Sequence, residues 1–402
     1  MLDNIWFVAA IWMGLAFIAS LISIRLGISV ALVEIFVGVV AGNFLGIHQT
    51  TQWIDFLAML GSGVLTFLAG AEIDPQSLRA NLKISMVLGI MSFAIPFACV
   101  WLFAQFVLGW DLRQAQIAGI ALSTTSVAVI YAVMIEKGLS DTALGKMILA
   151  ACFITDLGTV LALGVLFADF NIALLIFVAV LAIFLWLMPR STKYIIIKLG
   201  AKRVSEPEVK FILLVLFFLG GLATTAKSEA VLPAYLIGLV VAGVFHRDKT
   251  LVNRMRTIAF TIFTPFYFMK AGLYVSLYAV WISLGVIAVL LLLKVVFKTA
   301  GVWPFSRFFK MDTKVANYTT LLMSTGLTFG TISALYGLNN HIIDQKQYTI
   351  LVTVVILSAV IPTLIAQRFF EPSEEVMNAW GKLVGNHNHN IPDQIKEEDG
   401  HE

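Results

Sequence analysis

The sequence predicts an all-α polytopic membrane protein, and three observations carry that prediction. Mean hydropathy is +0.92, with 59% hydrophobic and only 13% charged residues, whereas soluble domains carry about 25% charged residues. Apolar runs of about 20 residues, the length that crosses a bilayer, follow one another with short joins. Lys and Arg gather on alternate joins. This composition excludes a soluble enzyme, leaves no room for a large soluble domain, and gives no reason to expect a nucleic-acid partner.

Thirteen transmembrane helices are expected, at roughly 5–24, 28–46, 54–73, 84–108, 114–135, 143–167, 171–189, 209–226, 230–245, 257–275, 280–303, 315–337 and 347–369. The first run is preceded by the acidic "MLDN" and followed by Arg25. That argues against a cleaved signal peptide and for insertion with the amino terminus outside. In this orientation 21 of the 27 Lys and Arg lie in inner segments. Arg113, Lys227 and Lys346 lie in outer segments, and Lys270, Lys294 and Lys298 within spans. The expected location is therefore the cell membrane, multi-pass, with the carboxy terminus inside. The longest join, "PRSTKYIIIKLGAKRVSEPEVK", follows the seventh span. Cys99 and Cys152 both sit in apolar segments and imply no disulfide framework or C-x-x-C metal site. The tail, 371–402, is acidic and reads as a solvated, partly disordered cytoplasmic segment. Its His387, His389 and His401 offer a metal-binding alternative. No G-x-G-x-x-G follows the last span, so a dinucleotide-binding regulatory domain is not expected.

Asp156, in "CFITDLGTV", falls near the middle of the sixth span. A charged residue there costs roughly 2.5–3.5 kcal/mol on insertion scales, so it reads as a proton carrier, an ion ligand or a counter-ion. A structural aspartate locked to a buried Lys or Arg is the alternative. Burial disfavours the ionised form and a bound cation favours it, so proton and cation would compete for one carboxylate. Such competition suffices for antiport.

Two segments are poor continuous helices in lipid. "ALSTTSVAVIYAV" holds Ser123, Thr124, Thr125 and Ser126 in the fifth span. "LLMSTGLTFGTISALYG" holds Ser324, Thr325, Gly326, Thr328, Gly330 and Thr331 in the twelfth. Interrupted helices in corresponding positions of two halves point to inverted six-helix repeats with two crossing unwound helices and the site at the crossing. Spans 1–6 and 8–13 make the halves, with the seventh, about 171–189, as linker. Small-residue helix packing is the other reading of either segment alone. The eleventh span carries Lys294 and Lys298. A buried lysine needs a partner; Lys294 is better placed by depth, and Lys298 has snorkelling open to it. Lys270 is expected to snorkel, with lining the outer mouth or pairing with a nearby acid as the alternatives. Glu206 and Glu208 are expected to form an interfacial charge cluster, with pH sensing as the alternative.

With these residues in view, the chain resembles the monovalent cation:proton antiporter superfamily, in particular the bacterial and archaeal sodium/proton antiporters and the related potassium-efflux antiporters. The likeness rests on "VEIFVGVVAGNFLG" with Glu34, "FLAGAEID" with Glu72 and Asp74, "STTSVAV", "TDLGTV" and "STGLTFGTISALYGL". It implies a core domain (spans about 84–167 and 280–369) moving against a dimerisation domain (about 5–73 and 209–275) in an elevator-type cycle, and a homodimer. It also implies that Asp156 binds cation and proton, with Thr155, Thr124, Thr125 and Ser126 in the same binding site. The supporting residues would be Lys298, Lys294, Ser324, Thr325 and Gly326. No cofactor is implied, only the transported Na+ or K+ and H+. Family members carry Asp-Asp, Asn-Asp or Gln-Asp where this chain has Thr155-Asp156. Thr155 carries no charge, so one-for-one, electroneutral exchange is expected. Asn43 stands where a proline is common. A sodium-coupled symporter of an organic anion is the alternative function; it would need further acidic or amide ligands near the crossing. A potassium channel lacks its TVGYG-like filter here.

Overall fold

Where the apolar runs lie, the computed structural model has helices. It describes residues 4–26, 29–45, 47, 50–71, 73, 82–136, 139, 142–167, 172–195, 206–226, 231–247 and 249–372. Glu72, Asp74, Lys227 and the tail from 373 onward lie outside the described residues. The first helices are α1 (Ile5–Leu26), α2 (Val30–Phe44), α3 (Gln52–Ala71) and α4 (Leu82–Phe106). Then come α5 (Leu112–Ser123), α6 (Val127–Glu136), α7 (Ala143–Leu166) and α8 (Ile172–Ile195). α9 (Pro207–Thr225), α10 (Val231–Arg247) and α11 (Lys249–Ile258) follow, and a π turn (Ala259–Phe263) joins α11 to α12 (Thr264–Leu273). The last are α13 (Leu277–Ile282), α14 (Leu284–Phe308), α15 (Thr313–Met323), α16 (Thr328–Asn339) and α17 (Gln345–Phe369). Among the described residues there is no strand. Among the described residues nine helical stretches, α15 and α16 counted together, are long and apolar enough to cross a membrane; α2 and α10 are shorter apolar helices.

Two boundaries differ from the sequence reading. The tenth predicted span, 257–275, is the second part of a helical stretch that begins at Lys249. Its first part, "KTLVNRMRTI", is amphipathic, so hydropathy misses it. Pro265 has no N–H to donate, and the turn before it widens to the π form. The eleventh, 280–303, is displaced: α13 caps itself through Ser276, whose Oγ accepts from Ala279 N, and α14 runs from Leu284 to Phe308.

Polar residues start α5, which leads into the first broken segment, and α17, which follows the second. Asp344 Oδ1 accepts from Gln347 N at 2.7 Å while Asp344 N donates to Gln347 Oε1 at 3.0 Å. At the head of α5, Asp111 N donates to Gln114 Oε1. Gln347 Nε2 then donates to that Gln114 oxygen at 2.9 Å, so the starts of α5 and α17 are tied to each other.

The helices pack in two groups. One holds α1–α3 and α8–α12; the other holds α4–α7 and α13–α17. Glycine brings backbones together in both, as expected where lipid removes the hydrophobic drive between helices. A Cβ on Gly38 would run into the Met269 carbonyl, and one on Gly272 into that of Ile35, joining α2 to α12. Gly70 meets the Tyr235 carbonyl and Gly238 that of Phe67, joining α3 to α10. In the second group Gly89 of α4 would place a Cβ 2.7 Å from Ala151 O of α7. Across the groups the main helix-to-helix contact is α7 with α10. Polar links add to it near Tyr274: Tyr348 Oη donates to Ala271 O at 2.6 Å and Ser276 N to Thr349 Oγ1 at 3.2 Å. Asn43 has a use here: its Nδ2 donates to Val39 O and Val275 O, and its Oδ1 accepts from Leu277 N.

The α2–α12 contact leaves no space for a methyl group. Gly272→Ala is expected to lower the melting temperature of the detergent-solubilised protein by several degrees, since overpacking costs about 1–3 kcal/mol. Gly14→Ala, with nothing within 4 Å, is expected to leave it unchanged. Melting the two variants beside the wild type checks this.

Candidate functional site

The two segments read as poor helices are broken where their hydroxyls fall. Ser123 Oγ and Thr124 Oγ1 donate back to Ile120 O and Ala121 O, both at 2.9 Å, and Thr124 turns extended (φ −66°, ψ 156°), so α5 stops. Ser324 Oγ and Thr325 Oγ1 donate back to Thr320 O and Leu322 O, both at 2.8 Å, at the end of α15. The breaks meet. Thr125 Oγ1 donates to Met323 O at 3.0 Å, and Ser126 N to Thr325 Oγ1 at 3.4 Å. Each break thus supplies polar groups that the other needs, as buried backbone requires. Two helix ends, of α5 and α15, and two helix starts, of α6 and α16, converge here, with partial charges of both signs.

The missing side chain at Gly326 leaves room for the Lys294 ammonium at the crossing. A Cβ there would run into Lys294 Nζ and lie 3.1 Å from Thr124 Oγ1. Lys294 Nζ donates to Thr124 O at 3.4 Å. Lys298, four residues on along the same face of α14, donates to Ser92 Oγ at 2.8 Å and Thr125 Oγ1 at 2.9 Å. Both lysines are fully buried. Snorkelling is therefore not the fate of Lys298: Ser92 of α4 and the crossing hold its ammonium inside.

Asp156 sits on α7 with 1% of its surface exposed. Its Oδ1 has no hydrogen-bond partner among the described residues. Lys298 is near enough to act on it electrostatically. One turn earlier, Cys152 Sγ lies 3.5 Å from Met323 Sδ at the end of α15. Thr155 points elsewhere: its Oγ1 donates to Ala151 O at 3.0 Å and lies 3.3 Å from Gly89 O, seating α7 on α4. The site thus brings together Asp156, Lys298, Lys294, Thr124, Thr125, Ser126, Thr325 and Gly326, and sets the Thr155 hydroxyl against helix backbone. Among the described residues no three of His, Cys, Asp or Glu gather as a metal cluster. The oxygens on offer are one carboxylate, hydroxyls and carbonyls, hard ligands suited to a monovalent or other hard cation.

Sequence reading missed Ser92. Its signal was a small hydroxyl amid the apolar fourth span, level with the lysines. It also missed Tyr235, whose Oη donates to Phe153 O at 2.8 Å. Lys270 is a correction: its Nζ lies 2.7 Å from Asp55 Oδ1, and Thr50 Oγ1 donates to the same oxygen at 2.5 Å. An acid in the first turn of α3 stands beside it, so the ammonium has no need to reach water. Glu206 and Glu208 both pair with Arg254, at 2.9 and 3.1 Å. Glu34 of α2 is buried, with Oε2 unpartnered among the described residues, outside the crossing.

Comparison with known proteins gives the family. Residues 13–371 match the transmembrane sodium/hydrogen exchanger family. The chain belongs to it. The exchanger is 22% identical to the probable Na(+)/H(+) antiporter 3 of Methanocaldococcus jannaschii, over 92% of this chain and 97% of that one. It is 24% identical to the Na(+)/H(+)-K(+) antiporter GerN of Bacillus cereus, over 90% and 95%. The solved structure of the sodium proton antiporter MjNhaP1 from Methanocaldococcus jannaschii superposes with a TM-score of 0.68 at 17% identity, covering 91% of the exchanger and all of that chain. That likeness fixes the fold as an all-helical, multi-pass antiporter fold.

The Ser92–Lys298 contact makes a measurable demand. Ser92→Ala removes an acceptor from a buried ammonium, worth about 1.5–3 kcal/mol for a bond to a charged group. Its cost should shrink to near zero in a Lys298→Met background, and a double-mutant cycle of melting temperatures reads that coupling.

Proposed function

We propose that this exchanger swaps a monovalent cation, Na+ or K+, for H+ across the cell membrane, the two competing for Asp156. The observation that carries the reading is the buried Asp156 carboxylate beside the crossing, with an oxygen left unpartnered among the described residues. A carboxylate so placed is costly unless something neutralises it. A proton does so by bonding to it, and a cation by sitting against it with hydroxyl and carbonyl oxygens of the crossing as further ligands. One carboxylate takes one or the other, so the exchange is one for one and electroneutral. Thr155 supplies no second acid, and Lys298 is held by hydroxyls. Membership of the sodium/hydrogen exchanger family supports cation/proton exchange as the activity. The name of the Bacillus cereus relative, which includes both Na(+) and K(+), is why either cation stands as substrate.

The same reading assigns alternating access to an elevator-type movement of α4–α7 and α13–α17 against α1–α3 and α9–α12, with α8 as linker. The unit is a homodimer with amino termini outside and carboxy termini inside. The Lys and Arg asymmetry along the chain supports the orientation.

The test is transport by purified protein in proteoliposomes with an acid interior. Adding Na+ or K+ outside is expected to collapse the pH gradient, and Asp156→Asn to abolish the response. Asp156→Asn that exchanges like the wild type would sink the assignment. Competition further requires that more protons on the cation side raise the apparent KM for the cation and leave the maximal rate unchanged. A fixed membrane potential should leave the rate unaltered.

A further inference from the structure

Between the two helix groups, the main helix contact runs along α7 and α10. α10 is anchored on its far side. The close approaches of Gly70 to Tyr235 O and Gly238 to Phe67 O lock it backbone to backbone on α3. Its other side faces the group that holds the site. Leu232 packs over Gly164 of α7, where a Cβ would lie 3.7 Å from Leu232 Cβ. One turn along, Tyr235 reaches Phe153 O with its hydroxyl at 2.8 Å and meets the Phe329 ring of α16 edge-on, centroids 6.2 Å apart. Phe153 and Asp156 are three residues apart and share a face of α7. Tyr235 is 1% exposed and lies within electrostatic reach of Asp156.

We propose that Tyr235 is a positioning residue for transport: fixed on the α3–α10 unit, it holds the Asp156-bearing helix in the state seen here and releases it when Asp156 turns to the other face. The inference rests on the alternating-access reading above. Helix α7 has its own ladder of hydrogen bonds and does not need the tyrosine to fold. The bond to Phe153 O joins a residue of one group to backbone of the other, so it belongs to one arrangement of the two. A bond present in only one of two states biases the equilibrium between them by what that bond is worth.

The experiment is Tyr235→Phe, which removes the hydroxyl and keeps the ring against Phe329. Cation-driven proton movement is measured in vesicles of defined orientation, with cation supplied from one face and then from the other. The apparent KM for the cation is expected to rise on one face and fall on the other, the rise and the fall multiplying to roughly threefold to tenfold, as one hydrogen bond allows. A merely structural role would lower the active fraction and leave both KM values unchanged; that result, or a shift in the same direction on both faces, overturns the proposal. Should Tyr235→Phe fail to fold, the same seam is tested by pairing Gly164→Cys with Leu232→Cys, whose Cβ separation of 3.7 Å suits a disulfide. Oxidation is expected to stop exchange and reduction to restore it, with Gly164→Cys alone as control. Undiminished exchange with the bridge formed overturns the proposal. Wild-type protein that moves no cation overturns the antiport reading and this one with it, whereas active wild type with a symmetric variant overturns this one alone.

Discussion

An ionised carboxylate sealed among apolar helices is unfavourable unless a positive charge neutralises it, and Asp156 is sealed in this way with one oxygen unpartnered among the described residues. Much of the surrounding structure follows from that. On the proposed reading, Asp156 takes polar neighbours that do not occupy it permanently. Breaking α5–α6 and α15–α16 supplies hydroxyls and backbone carbonyls at the depth of α7 without placing a second acid there. The breaks are stable only because they cross: the hydroxyls at each helix end bond backward, and Thr125 and Ser126 bond across. Gly326 and the lysines then complete one unit, since no side chain could stand at 326 with Lys294 in place.

How much of this the sequence discloses follows from what each signal depends on. The helices are legible because apolar length is a property of the chain alone. The crossing is legible because a run such as Ser123–Ser126 has nothing to do in lipid except end a helix or bind something. Asp156 is legible by its cost. Partners are a different matter. Ser92 is one hydroxyl in an apolar span, and only packing of α4 on α14 shows that Lys298 meets it. The acid that meets Lys270 is likewise hidden from the sequence: Asp55, more than 200 positions earlier, is brought beside it by the packing of α3 on α12. The helix at Lys249–Ile258 escapes hydropathy because its polar face outweighs its apolar one.

Glycine placement sorts which parts are rigid. Where Gly38, Gly272, Gly70 and Gly238 bring backbones into contact, α2, α3, α10 and α12 are bound as one body, since backbones that close slide only at a steric cost. The seam between α7 and α10 is of another kind. It is made by Leu232, Tyr235 and the flat surface at Gly164, side chain on helix, with the Tyr235 hydroxyl bonded to Phe153 O. A seam of that make-up can part and re-form, whereas interlocked backbones resist it.

The proposed electroneutral exchange has to be reconciled with a site that holds two lysines and one acid. Lys298 is hydrogen-bonded to Ser92 and Thr125, both neutral, and Lys294 to the Thr124 carbonyl. None of these three bonds involves the Asp156 carboxylate. Were an acid at position 155, its proton would enter the count as Lys298 shifted between partners. With Thr155 bonded to the backbone of α4 and α7, that route is closed. On the proposed mechanism, Asp156 with a proton and Asp156 with a monovalent cation carry the same charge past the scaffold, and the membrane potential has nothing to act on in either direction.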